Sequence, residues 1–85
     1  MVRNIKFHRK YFLEFFKSIR GSKGLYEIRI RYGTNIYRVF CFFDIDQDII
    51  ILNVIQKKTQ KIPRKEILRA ERLREEYYQD KNLKP

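Results

Sequence analysis

The sequence predicts an α+β domain in which an antiparallel sheet stands between two helical segments of the chain. Three observations carry this expectation. Residues 25–32, 36–43 and 49–55 are runs rich in β-branched and aromatic residues, separated by short turn signals. Residues 11–19 and the stretch after Pro63 instead repeat their apolar residues at helical spacing. The 85 residues are 44% apolar and 35% charged, enough for one small core and too hydrophobic for a disordered chain. A single domain over 1–85 follows, with 79–85 as a frayed tail. A domain of this size buries only about 60–65% of its unfolded surface, so a partner adds meaningfully to its stability.

Asn4 to Phe7 reads as a short first strand. From Tyr11 the apolar residues run Tyr11, Phe12, Phe15, Phe16 and Ile19, a helical spacing with a wide aromatic face. Arg20-Gly21-Ser22-Lys23-Gly24 ends that helix in a turn. Leu25 to Tyr32 then alternates, with Tyr26, Ile28, Ile30 and Tyr32 on one side and Glu27, Arg29 and Arg31 on the other. After the turn Gly33-Thr34-Asn35, the run Ile36 to Phe43 is apolar on both faces except at Arg38, as a central strand is. Asp44 to Asp48 turns the chain into Ile49 to Ile55, and the short turns make the three strands an antiparallel meander. Pro63 suits the first turn of a last helix whose apolar seam is Ile67, Ala70, Leu73 and Tyr77, although Ile62 before it is a poor N-cap.

Charge is the dominant compositional signal. Twenty Lys and Arg against ten Asp and Glu give a formal net charge of +10, an excess that a polyanionic partner explains. The excess is uneven: residues 1–43 hold ten basic and two acidic residues, residues 44–85 ten and eight. Lys57-Lys58-Thr59-Gln60-Lys61-Ile62-Pro63-Arg64-Lys65 contains five basic groups and no acid. Nucleic acid or an acidic protein is the expected partner. No window is apolar enough for a membrane helix, and His8-Arg9-Lys10 and Glu14 interrupt any signal-peptide core, so a cytoplasmic protein is expected. A lone cysteine, Cys41, excludes an internal disulfide, and one Cys with one His does not make a zinc site.

Weighed singly, most candidate motifs dissolve. Asp44, Asp46 and Asp48 resemble the start of a calcium loop, but Ile49 and Ile55 stand where that loop needs Gly and Glu, so a hairpin turn is the better account. His8 lies at the edge of the first helix without a nearby acid, which favours a surface or capping role over acid–base work. Cys41, inside a central strand, reads as a small core residue rather than a nucleophile. With no phosphate-binding loop and no nucleophile elbow, most enzyme classes are excluded. The sheet basics remain. Arg29, Arg31 and Arg38 sit on adjacent strands, and Lys57 and Lys58 follow the third. Pattern alone supports equally a solvated face and a phosphate-binding surface framed by aromatic residues.

The series Gly24-Leu25-Tyr26-Glu27-Ile28-Arg29-Ile30-Arg31, Asn35-Ile36-Tyr37-Arg38-Val39-Phe40, Gln56-Lys57-Lys58-Thr59-Gln60-Lys61-Ile62-Pro63, then Glu66-Ile67 and Ala70, resembles one known family. It is similar to the RelE/HigB-like toxins of bacterial type II toxin–antitoxin modules, in their phage-derived branch, over about residues 24–78. The resemblance implies N-terminal helices packed on a twisted antiparallel sheet. It implies an mRNA endonuclease that works without metal or cofactor, in many members on the ribosome, and that a small antitoxin neutralises. Carried onto matching positions, the catalytic cations are Arg29, Arg31, Arg38, Lys57 and Lys58. Lys61, Arg64 and Lys65 add RNA contacts, and Tyr77 or Tyr78 takes the place of an aromatic that stacks on a base.

Two departures from the family pattern stand out. Only Tyr11 to Ile19 is available where members carry a pair of helices, which exposes the back of the sheet, favours a homodimer through it, or marks a degenerate copy. Asn53-Val54-Ile55 replaces a frequent His-Gly-Phe, so lysine and arginine must do the chemistry. Crowded cations lower a lysine pKa, which suits Lys57 or Lys58 to acid–base work, while the arginines hold phosphate. The alternative is a truncated, non-catalytic module that binds RNA or antitoxin. A gyrase-inhibiting relative of the same fold would not need the sheet cations.

Overall fold

The computed structural model describes residues 3–8 and 16–80, the first stretch as backbone. Among these residues five strands, β1 (Arg3–His8), β2 (Lys17–Ser18), β3 (Tyr26–Tyr32), β4 (Asn35–Phe43) and β5 (Asp48–Gln56), precede one helix, α1 (Arg64–Asp80). They form a single sheet in the order β1-β5-β4-β3-β2, antiparallel at every pairing. The α+β architecture, the meander β3–β4–β5 and the C-terminal helix are those the periodicity predicts. The helix runs through Gln79 and Asp80, where a frayed tail was expected to begin; residues 81–85 lie outside the described residues.

Cross-strand register decides which side chains share a face. Glu27 lies opposite Phe40, Arg29 opposite Arg38 and Arg31 opposite Ile36, so the charged side of β3 shares a face with Phe40 and Phe42. That face carries α1. Ile67, Ala70, Leu73 and Tyr77, the seam read from the sequence, pack with Phe40, Phe42, Ile50, Leu52, Leu25 and Ile19 in one core. Phe42 meets the rings of Tyr77 and Tyr78 at 5.5 and 5.6 Å. On the other face Val39, Cys41 and Ile49 are buried, and Phe16 stands edge-on to Phe43 at 5.2 Å. Burial on both faces makes β4 the central strand. A register shift at Phe40/Cys41 places Leu52 and Asn53 of β5 in a bulge.

The expected helix over 11–19 falls mostly on residues outside the described ones. Its end is corrected: Lys17 and Ser18 pair with Glu27 and Tyr26 as a strand, and the Ile19 amide donates to the Leu25 carbonyl at 3.0 Å. The open edge of β3 offers backbone partners that a helix there would forgo, and Ile19 reaches the core with 4% of its surface exposed. The turn that follows is tied to α1. Arg64 and Arg74 donate to the carbonyls of Gly21 and Lys23 at 3.4 and 2.8 Å, and Ser22 donates to Glu71 at 2.6 Å.

Turn chemistry closes the remaining ends. Gly33, at φ +63°, opens the two-residue turn between β3 and β4. Asp44 organises the β4–β5 turn: one carboxylate oxygen accepts the amides of Asp46 and Asp48 at 2.9 and 3.0 Å, and the other accepts the Tyr77 hydroxyl at 3.1 Å. That carboxylate is a structural hub, as the hairpin reading requires. Pro63 is the residue just before α1, where its carbonyl accepts the amides of Glu66 and Ile67. Among the described residues no helix is long and apolar enough to cross a membrane.

Candidate basic cleft

Because α1 begins only at Arg64, it covers the Phe40–Phe42 end of its face and leaves the Arg29–Arg38 end to the loop after β5. That loop, residues 57–63, is strapped down by Arg38. The Arg38 guanidinium donates to Glu27 at 2.5 Å and to the carbonyls of Thr59 and Gln60 at 2.6 and 2.9 Å. The Arg38 and Glu27 side chains are only 2% and 3% exposed. Such a pair forms because a buried charge needs both a counter-charge and hydrogen bonds, and here the backbone of the loop supplies the second acceptor set.

Among the described residues, two hollows flank the strap. The larger, about 860 Å³, lies between β2, β3, the strap and the start of α1. Its cations are Lys17, Arg20, Arg29, Arg38, Lys61 and Arg64, and its one carboxylate, Glu27, is engaged by Arg38 and by Arg29 Nε at 3.3 Å. The Arg29 side chain remains 41% exposed, and among the described residues its two terminal nitrogens have no partner. The smaller hollow, about 400 Å³, holds Lys58 and Lys65 beside Glu66. In both hollows cations outnumber carboxylates, and low-dielectric walls concentrate the resulting positive potential, as an anion site requires.

The expected site residues divide accordingly. Arg29, Arg38, Lys61 and Arg64 come together in the large cleft, and Lys58 and Lys65 in the small one. Arg31, although exposed on the same face, lines neither, and neither does Lys57, whose amide donates to Ile36 at 2.7 Å. Arg38 faces its strap instead of solvent. Tyr77 is 7% exposed in the core and Tyr78 is half-buried against Phe42; Tyr77 lies roughly 20 Å along the helix from Arg64 at about 1.5 Å per residue. Burial pushes the Tyr77 hydroxyl up to about 12, with Asp44 adding to the shift. Cys41, fully buried, is likewise pushed up to about 12, which suits a core residue and not a nucleophile.

Sequence reasoning missed Lys17 and Arg20, which sat in the expected helix and its turn, and it missed Glu27 as the anchor of the site. The signal for Glu27 was present: it is the sole acid among the basic residues of its strand. Glu66 enters the sequence reading only as part of the series that carries the family resemblance, with no site role.

The model of the family described as Phage derived protein Gp49-like (DUF891) matches residues 4–75. The chain belongs to this family. The Gp49-like proteins are a toxin-like family of toxin–antitoxin systems, and the match takes in β1, the meander, the strap and most of α1. No curated protein and no solved structure matches the chain.

Proposed function

We propose that this chain is the toxin of a type II toxin–antitoxin module, a RelE/HigB-like endonuclease that cuts mRNA on the ribosome in the cytoplasm. A cognate antitoxin would hold it in check. The observation that carries the reading is the large cleft, in which five cations besides Arg38 surround a single carboxylate already neutralised by arginine. Family membership supplies the toxin context.

The chemistry is attack of a ribose 2′-oxygen on the adjacent phosphorus, with release of the 5′-oxygen. Negative charge grows on the phosphate, and the exposed nitrogens of Arg29 suit its non-bridging oxygens as a planar fork. As the P–O2′ bond forms and the P–O5′ bond breaks, the 2′-hydroxyl proton passes to solvent water, and Lys61 or Lys17, as the ammonium, adds charge and gives a proton to the leaving 5′-oxygen. Arg38 is a positioning residue: by holding the Thr59 and Gln60 carbonyls it fixes Lys58 and Lys61 on either side of the strap. The ribosome would orient the RNA, which such a shallow site does little to do by itself.

The test is fluorescence anisotropy with a single-stranded RNA whose 2′-hydroxyls are methylated, titrated over a salt series. Each phosphate contact contributes about 0.7 to the slope of log affinity against log salt. Arg29→Ala with Lys61→Ala should lower that slope by about 1.4, while Arg31→Ala with Lys57→Ala, outside both hollows, should change it much less. Equal losses from the two pairs would place the RNA elsewhere on the sheet.

A further inference from the structure

The smaller hollow has a chemistry that phosphate binding leaves unused. Glu66 projects into it from the first turn of α1, and its Oε1 is buried with no hydrogen-bond partner among the described residues. Arg38, which lines the same hollow, directs Nη1 to Glu27 and Nη2 to the Thr59 and Gln60 carbonyls, and the Gln56 amide nitrogen donates to Asn35 at 3.0 Å. A carboxylate oxygen withdrawn from water and given no donor is costly, so it calls for an N–H or O–H brought by a ligand. Around it stand two apolar walls, Ile55 and Pro63, and two cations, Lys58 and Lys65, that make no ion pair among the described residues.

We infer that this hollow is a nucleotide pocket that selects a base bearing an exocyclic amine. The base lies between Ile55 and Pro63, its amino group donates to Glu66 Oε1 once that side chain turns to open the shielded oxygen to the hollow, and its phosphate meets Lys58 and Lys65. At about 400 Å³ the hollow falls within the range of small-ligand sites. Cytosine presents an N4 donor where uracil presents the O4 acceptor, so an acceptor-only carboxylate favours cytosine and repels uracil. The ligand class rests on the RNA reading above. It adds a specificity that the large cleft, lined for phosphate, does not supply.

The experiment is a titration of the ¹⁵N-labelled chain with cytidine and uridine 5′-monophosphates, followed by amide shifts. The wild type should bind the cytidine nucleotide on the order of 10-fold more tightly, with shifts centred on Lys58, Lys65 and Glu66. Glu66→Gln, whose amide can donate to O4, should bring the two affinities within about twofold. Lys58→Ala with Lys65→Ala should weaken both nucleotides while keeping their ratio. Equal wild-type affinities, no cytidine nucleotide binding in the millimolar range, or shifts confined to the large cleft would overturn the assignment. The nucleotide ratio is read without cleavage, so preference for cytidine in a chain that does not cut RNA upholds the pocket and sinks only the endonuclease reading.

Discussion

Arg38→Met is the most informative single change, because it separates a strap-holding role from direct contact with substrate. Met keeps much of the side-chain length and removes the charge. Glu27, 3% exposed, would then face only Arg29 at 3.3 Å, and the Thr59 and Gln60 carbonyls would lose their donor. Breaking one side of a buried ion pair costs about 3–5 kcal/mol. An 85-residue domain holds about 4–13 kcal/mol in total, so the variant should be near the edge of folding. Urea denaturation followed by far-UV circular dichroism measures the loss. Glu27→Leu with Arg38→Met removes both charges and should recover most of the stability, since apolar replacement of a buried pair is often neutral. RNA affinity should stay low in that double variant, because the strap is still unanchored. A loss below about 1 kcal/mol in Arg38→Met, or a double variant no more stable than the single one, would refute the structural role.

Three further outcomes follow from the same geometry. Asn53 is 8% exposed and among the described residues neither atom of its amide has a partner, so Asn53→Leu should raise stability by about 1 kcal/mol in urea, and a lower midpoint would contradict this. Gly24→Ala should cost about 1–2 kcal/mol and more than Gly33→Ala: both have positive φ, but at Gly24 the new Cβ would also lie 3.2 Å from Arg74 Nη1, whereas Gly33 has open space. Stability should fall at alkaline pH. Folding raises Cys41 from 9.0 and Tyr77 from 10.0 to about 12, so the folded chain binds more protons there; their contribution is intact below about pH 9 and is lost as pH rises through 12. In Tyr77→Phe with Cys41→Ala, the pH 9–12 decline should flatten in urea melts.

Periodicity revealed the meander and α1 because each is amphipathic on its own local repeat. It did not reveal which face of β3 the helix would cover. Glu27, Arg29 and Arg31 alternate with Tyr26, Ile28, Ile30 and Tyr32, and on pattern the apolar row should face the core. The register with Phe40 sends Glu27 inward, while Ile30 and Tyr32 are 48% and 77% exposed. A buried ion pair reverses the usual inference from alternation, and no local signal announces a partner eleven residues away on the next strand. Residues 16–19 were misread for a related reason: helical spacing competes with an open sheet edge, and the edge is a tertiary fact. The cationic character of the site was legible from composition. Its division into two hollows was not, because the Arg38–Thr59–Gln60 strap depends on backbone carbonyls that any sequence could supply.

If the cations of the large cleft cut mRNA, induced expression in a bacterium with transcript 5′ ends mapped will show it. Growth arrest with new cuts inside translated codons is expected for the wild type, and their loss in Arg29→Ala with Lys61→Ala at equal levels of folded protein. Folded wild-type chain that accumulates without arrest and without new 5′ ends would contradict it and leave a module that binds RNA or antitoxin without cutting.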